Sequence, residues 1–457
     1  MSAQEEAEPA LVDQQRDRWA AVAACGLAVF VTAVDLNVVG VALPSLGGQF
    51  HAGPAATQWV ILAYALPVVA LLLPAGRWGD GADKRKAFVL AVLGFGVASA
   101  LVAVSPSLPF MIGARALQAV FSALISALVL ATIAMSVRSA SMGRAVGAVA
   151  SLGPLGGAIG PAAGGLLIDA VGWRAVFLIN VPVCLVAAWL AWVSVPATDA
   201  GISAPRPAWL VDAGLLGVAG VTLLLGLQQL GGHGVAPLIG VALLALALVS
   251  GYAWLRRKDS RPVVELLSNP SVNRWLVTLL FGATVSGVLT FLVPFALTEA
   301  AGASNSVTGF TMLALSAGMV VFAPVGGVLT DRLGPRPVAI AGTALLLIGS
   351  AALVLVASGP HPLDVAWRLV LIGGGTGLLA APAQAAVMIS APPDLGATTG
   401  ALSALMLNLG FAVGPAAATL AWRLGGGGAF DTGAAFAVGA VSALLALLTV
   451  VTVRVAR

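Results

Sequence analysis

The sequence predicts an all-α polytopic membrane protein: two six-helix halves with two further helices between them, about fourteen spans in all. Three observations lead there. Of 457 residues, 60% are hydrophobic and 9% charged, where a soluble domain carries roughly 25% charged residues. Apolar runs of about 20 residues, the length that crosses roughly 30 Å of hydrocarbon, recur from end to end. A loop pattern built from rare residues also repeats at a fixed distance. So few charges cannot cover a water-facing surface, which excludes a soluble enzyme. No stretch is long or polar enough for a second soluble domain.

The elements follow in order. Residues 1–19 are acidic (Glu5, Glu6, Glu8, Asp13, Asp17) and lack the cleavage site of a signal peptide, so they read as a cytoplasmic tail. Apolar runs bounded by charge, Pro or Gly fall at 20–44, 56–76, 87–105, 109–134, 143–168, 174–195, 211–231, 235–255, 273–298, 307–330, 337–357, 365–390, 397–422 and 432–453. The first six runs make an N-terminal half, residues 20–195. The seventh and eighth, joined by Gly231-Gly232-His233-Gly234, lie in a linker, residues 196–260. The last six make a C-terminal half, residues 261–457. With both termini on one side, every Lys and Arg except Arg115, Arg174, Arg368 and Arg423 falls on that side. The positive-inside rule marks it as cytoplasmic, in what reads as a bacterial inner membrane. An odd number of spans would scatter the charges; twelve is the other even count. Cys25 and Cys184 lie in apolar runs and form no disulfide, zinc or redox pattern.

Gly76, Asp80 and Arg85 form G-x3-D-x4-R after the second span, and Gly327, Asp331 and Arg336 form the same pattern after the tenth, each 251 positions on. Gly160-Pro161 is echoed by Gly414-Pro415, 254 positions on, and Arg115 by Arg368, 253 on. Asp and Arg are rare here, so chance recurrence is a poor explanation. An internal repeat in a helical membrane protein points to a transporter with its substrate site near mid-membrane, between the repeats.

These residues resemble those of the major facilitator superfamily, and within it the fourteen-helix drug:proton antiporters. The likeness runs through nearly the whole chain. DLNVVGVALP, Asp35 to Pro44, is similar to the first-helix signature, with Gly40 where the family has Asn. TQWVILAYAL follows in the second span, then GRWGDGADKRK, in which Gly81 replaces a basic residue and Asp83 a Gly. The second copy, with Asp331, Arg332 and Arg336, keeps more of the pattern. RALQAV, Arg115 to Val120, is similar to the fourth-helix R-x-x-Q-G motif with Ala119 for Gly. SLGPLGGAIGPAAGG, holding Gly153, Pro154, Gly156, Gly157, Gly160, Pro161 and Gly164, resembles the fifth-helix antiporter motif. GWRAVFLINVP resembles the segment opening the sixth helix. The resemblance implies proton-coupled efflux of a hydrophobic drug or antibiotic, with protons as the coupling ion and no cofactor. It also implies that the fifth-helix motif serves export and sealing of the cavity.

Asp35 is the candidate proton carrier. It lies roughly 20 Å of helix rise into the first span, deeper than any other carboxylate. An acid in hydrocarbon is costly and marks a functional site by default; the alternative is a structural ion pair. Arg115, about 9 Å into the fourth span from the far side by helix rise, lies at a compatible depth. Protonating Asp35 would then free Arg115 and shift the conformational balance. Arg115, Gln118, Ser122 and Ser126 share one helix face, which suits a cavity wall or a helix contact.

Asn37, Gln58, Tyr64, Asn180, Gln384 and Asn408 are further candidates for a substrate cavity, each equally able to bond a neighbouring helix. Aromatic and Met side chains such as Trp59, Phe121, Phe291, Phe411 and Met406 are candidates for its apolar walls, although most aromatics in such a chain are packing residues. Asn37 lies about 200° round the helix from Asp35, so the two do not face one cavity. Asp80 is placed to accept bonds at a neighbouring helix N-terminus, with Arg85 bracing it, although the altered residues suggest a weaker first latch. No mid-span carboxylate occurs in the second half, and Glu299 lies near an outer end, which favours a neutral, zwitterionic or monocationic substrate. A membrane-embedded enzyme finds no support: there is no H-E-x-x-H or Ser/His pattern, and His51, His233 and His361 fall in outer loops. No P-loop is present. The expected partners are the bilayer and one small hydrophobic molecule, without nucleic acid or metal, and the chain is expected to act as a monomer. The alternative is a dedicated natural-product or metabolite exporter.

Overall fold

The computed structural model describes residues 17–198, 200–202, 204, 207–230, 235–300, 302–355, 361–424 and 433–453. Among them, fourteen helices are long and apolar enough to cross a membrane, and no strand occurs. They are α1 (Trp19–Phe50), α2 (Trp59–Asp80), α3 (Lys84–Ala103), α4 (Leu108–Ser136), α5 (Met142–Val171), α6 (Asn180–Ser194, which spans together with the short helix Arg174–Leu178), α7 (Pro207–Leu230), α8 (Ala236–Leu255), α9 (Pro270–Phe295), α10 (Asn305–Leu333), α11 (Pro335–Val354), α12 (Pro362–Ser390), α13 (Gly396–Leu424) and α14 (Gly433–Val451). Glu5, Glu6, Glu8, Asp13 and the turn with His233 lie outside the described residues, as do the side chains of Glu299 and Arg423. α1 continues to Phe50, beyond the expected boundary at Pro44, because Leu46 is fully buried against Val60 and Met111. The expected sixth span is broken after a short helix, Arg174–Leu178, so that Asn180 opens α6.

The repeat in the sequence is a repeat in packing. α1 packs on α5 and α6, α2 on α4, and α3 on α4 and α6. Eight helices later, α9 packs on α13 and α14, α10 on α12, and α11 on α12 and α14. A spanning helix cannot gain hydrophobic energy by leaving lipid, so association depends on close backbone approach through small residues. Gly156, Gly160 and Gly164 lie on one face of α5 against α1; a Cβ on Gly160 would stand 3.2 Å from the Val34 carbonyl.

The two halves meet where α2 ends and α10 ends, here called the basic end. α7 packs along α2 and also touches α13, while α8 packs on α7. A charge cluster ties this hairpin down. Asp212 of α7, almost fully buried, accepts from Arg77 Nη1 of α2 at 3.0 Å and from Arg257 Nε at 2.7 Å. Asp259 lies 3.4 Å from Arg77 and 3.6 Å from Arg257. At the other end the exceptions to the charge rule are held locally. Arg174 bonds Gln49 and lies over Trp173. Arg368 pairs with Asp364 and lies over Trp367.

Candidate functional site

Asp35 and Arg115 are fully buried and in contact, with Arg115 Nη1 donating to Asp35 Oδ2 at 2.5 Å. The other carboxylate oxygen accepts from Gln118 Nε2 at 3.0 Å and Asn180 Nδ2 at 2.9 Å. Arg115 Nη1 also donates to Gln118 Oε1 at 2.6 Å, and its Nε donates to the Val60 carbonyl at 3.2 Å. Its guanidinium stacks 4.4 Å from the Tyr64 ring, with Phe177 at 5.8 Å. Ser99 receives bonds from both Gln118 and Asn180, at 2.7 and 3.3 Å, and passes its own proton to the Phe95 carbonyl. Tyr64 and Ser122 share a 2.6 Å bond beside the pair. Five helices, α1, α2, α3, α4 and α6, thus converge on one ion pair. A carboxylate and a guanidinium removed from water are tolerable only when paired and hydrogen-bonded in this way. Two atoms, Arg115 Nη2 and Asn180 Oδ1, are buried without a hydrogen bond. Ser99, Phe177 and the Val60 carbonyl are members that sequence reasoning missed. Arg368, the repeat counterpart of Arg115, has no such setting: it bonds its own helix at the Asp364 carbonyl.

A cavity of about 1120 Å³ lies between the halves. Its walls come from α1, α4, α5, α9, α10, α12 and α13, and none from α2. Polar groups are few: Asn37, Ser126, Ser286, Thr290, Ser316, Thr376 and Gln384. No described lining residue is ionisable. Mostly apolar walls with a few polar groups are what a small-molecule site requires. The ion pair does not line it. The two are linked through shared helices: α1 turns Asp35 to the pair and Asn37 to the cavity, while α4 turns Ser122 to the pair and Ser126 to the cavity. The glycine-rich segment of α5 likewise divides. Gly153, Pro154, Gly157 and Pro161 line the cavity, and Gly156, Gly160 and Gly164 pack on α1.

The other sequence candidates are placed as follows. Asn37 and Gln384 line the cavity, each also bonding its own helix, to Ala33 and Ala380. Tyr64, Gln118, Ser122 and Asn180 belong to the buried cluster. Gln58 and Trp59 are exposed at the first turn of α2, and Asn408 is exposed and bonds Ala404. Phe291 is half-buried against Phe295, with ring centres 5.1 Å apart. None of these four lines the cavity. Thr290, one position from Phe291, lines it, as does Phe411.

At the basic end two matching latches join the halves. Asp80, closing α2, accepts from the backbone N–H groups of Ala397 and Thr398 at the start of α13, at 2.7 and 3.2 Å, and from the Thr398 hydroxyl. Asp331, in the last turn of α10, accepts from the N–H groups of Gly143 and Arg144 at the start of α5, at 2.8 and 3.2 Å, and from Arg144 Nε at 2.8 Å. A carboxylate at a helix N-terminus meets unpaired N–H groups and the positive end of the helix dipole. Gly76 and Gly327 are where the backbones touch; a Cβ on Gly76 would stand 2.7 Å from the Ala397 carbonyl.

The first latch has as many donors as the second, although only the second includes an arginine, and the replaced residue has another task. Asp83 caps α3 through Lys86 N and accepts from Thr198 N and Oγ1, so it anchors the linker. Burial pushes its carboxyl up, but these bonds outweigh that and hold it below the usual range. Arg85 does not touch the Asp80 latch: it lies over the Trp192 ring at 4.6 Å. Arg336 bonds the Val451 carbonyl at the end of α14, and Arg332 is exposed. Nearby, Asp17 accepts from Arg138 N and Nε and from Ser141 Oγ, which outweigh its desolvation and bring its carboxyl down to about 2.

Comparisons with known proteins agree with this architecture. The family model described as Major Facilitator Superfamily matches residues 25–268 and 274–457. The chain is 30% identical over 407 residues to the tetracenomycin C resistance and export protein of Streptomyces glaucescens, covering 87% of this chain and 74% of that one. It is 26% identical over 413 residues to the riboflavin transporter RibZ of Clostridioides difficile, covering 88% and 87%. Among solved structures, a double Trp mutant of XylE superposes with a TM-score of 0.66 at 14% identity, over 94% of this chain and 95% of that one. The chain belongs to the major facilitator superfamily, and its fourteen spans agree with the fourteen-helix drug:proton antiporters. Its family and fold are those of a multi-pass membrane transporter.

Proposed function

We propose that this major facilitator chain is a proton-coupled exporter of a small hydrophobic molecule, a drug or antibiotic. It acts in a bacterial cytoplasmic membrane with the basic end and both termini in the cytoplasm. One observation carries the reading: a fully buried carboxylate–guanidinium pair shares α1 and α4 with a large cavity whose described lining residues carry no charge. The cavity takes the substrate, and Asp35 takes the proton. When Asp35 is protonated, Arg115 stays charged, because a guanidinium does not give up its proton in a protein. Leaving one partner of a buried pair uncompensated costs about 3–5 kcal/mol, enough to shift a two-state equilibrium by about 140- to 4,000-fold. The helices that hold the pair must then move, and the cavity walls move with them. The latches hold the cytoplasmic ends together in the conformation described above; opening them exposes the cavity to the other side by alternating access.

With no carboxylate among its described lining residues, the cavity suits neutral, zwitterionic or monocationic substrates. A dedicated exporter of one natural product or metabolite is the second reading. It is favoured by relatives whose names each specify one molecule, tetracenomycin C and riboflavin. The test is uptake into proteoliposomes under an imposed pH gradient, with tetracenomycin C, riboflavin and ethidium as probes, for the native chain and Asp35→Asn. Gradient-driven accumulation lost in the variant supports the proposal. Accumulation by the native chain without a gradient would refute it. Movement of a single probe would favour the second reading.

A further inference from the structure

The cavity is off-centre. α5 and α10 supply a continuous wall of it, while α2, on the opposite seam between the halves, supplies nothing. At the basic end the α5/α10 seam is shut: Gly143 meets Gly327, and Gly147 meets Ala323. From Ala323 to Phe310 is 13 residues of α10, about 20 Å of rise. At that height residues of both helices line the cavity. Phe310 lines the cavity and is also 74% exposed. Val307 and Leu313, three residues to either side on the same face, are exposed too. Across the gap Pro161 and Ala162 of α5 line the cavity and are exposed, and Leu166 one turn on is 74% exposed. Both edges of the gap are therefore apolar, where a mouth facing water would carry polar groups. The α2/α13 seam differs, because α7 lies along α2 and touches α13, clamped there by Asp212 between Arg77 and Arg257.

We propose that the α5/α10 gap is a one-sided lateral portal, through which an apolar or amphipathic substrate passes between the cavity and the outer leaflet of the bilayer. The occupant is a lipid-dissolved molecule, which fits apolar edges and a cavity with no ionisable group among its described lining residues. The α7/α8 hairpin denies the same route on the opposite side. The inference rests on the reading of the cavity as a transport site and adds where its cargo leaves.

The test is spin-label accessibility in the full chain reconstituted in liposomes. Phe310→Cys and Phe411→Cys each receive a nitroxide; Phe411 is a half-exposed cavity residue on α13, and the native Cys25 and Cys184 are buried. Collision with oxygen, which concentrates in lipid, is compared with collision with a water-soluble nickel chelate. At Phe310 oxygen should dominate several-fold; at Phe411 the chelate should dominate. Chelate dominance at Phe310 would overturn the portal, and oxygen dominance at both would overturn its one-sidedness. Ethidium and tetracenomycin C transport is measured in the same vesicles. Intact transport with an aqueous Phe310 defeats only the portal, whereas absent transport in the native chain defeats the transport reading.

Discussion

Removing either member of the buried pair should destabilise the chain, by unequal amounts, and removing both should restore it. Asp35→Asn keeps the shape but leaves Arg115 charged, fully buried and without its anion. The cost is about 3–5 kcal/mol. Arg115→Gln is milder, because an orphaned Asp35 can neutralise itself by taking a proton, which a guanidinium cannot do in reverse. We expect it to cost about half as much, offset further by the amide donors of Gln118 and Asn180 that remain on the carboxyl. Asp35→Asn combined with Arg115→Gln replaces the pair by neutral groups, and such replacement is often near neutral. The assay is thermal unfolding in detergent followed by tryptophan fluorescence. An entropy near 2.1 cal/mol/K per residue makes 3–5 kcal/mol roughly 3–5 °C for a chain of this size melting as one unit. The double variant should return to within about 1 °C of the native protein while still failing to couple protons to transport. Additive losses in the double variant would show that the two residues are not an energetic unit, and the proposed trigger would fall with them.

Other outcomes follow from the same geometry. Asp80→Asn or Asp331→Asn weakens charge-assisted bonds worth about 1.5–3 kcal/mol each. Each should shift the population about tenfold or more towards an open basic end, read by electron–electron distances between labels on the α2 and α13 ends. Gly160→Leu should abolish folded protein, since even a Cβ there would stand 3.2 Å from the Val34 carbonyl. Gly157→Ala meets only ordinary contact, 3.5 Å from Asn37 Nδ2, and should fold while weakening substrate binding through a narrower cavity. The turn held by Asp17 should stay ordered above about pH 4 and loosen as pH falls towards 2. Its carboxyl is lowered to about 2 in the fold, so its contribution is present above the unfolded value near 3.9 and lost below. Hydrogen exchange across residues 138–142 reads this.

How much was legible in the sequence depends on how rare a residue is in its setting. Asp35 and Arg115 stand out because an ionisable group in an apolar run has few explanations, and the repeated Asp80 and Asp331 stand out because Asp is scarce. Ser99 gave no signal, since serine in a spanning helix usually bonds its own backbone. The Val60 carbonyl has no side-chain signal at all. Asp212 lies 135 residues from Arg77, and both of its arginine partners, Arg77 and Arg257, read as topogenic charge, so the hairpin clamp was invisible. Gln58, Trp59, Phe291 and Asn408 were expected at the cavity and do not line it. A spanning helix is apolar towards both lipid and protein, so its pattern does not fix which face turns inward. Phe291 and the cavity residue Thr290 differ by one position and about 100° of rotation.

The central claim is that one proton on Asp35 sets the state of the cavity, and proton movement reports it directly. Liposomes holding the chain and an internal pH dye are given a substrate gradient with no pH gradient imposed. The native protein should move protons against the flow of tetracenomycin C or whichever probe it transports, while Asp35→Asn should move none. Substrate flux without proton movement in the native chain, or undiminished proton movement in the variant, would contradict the account.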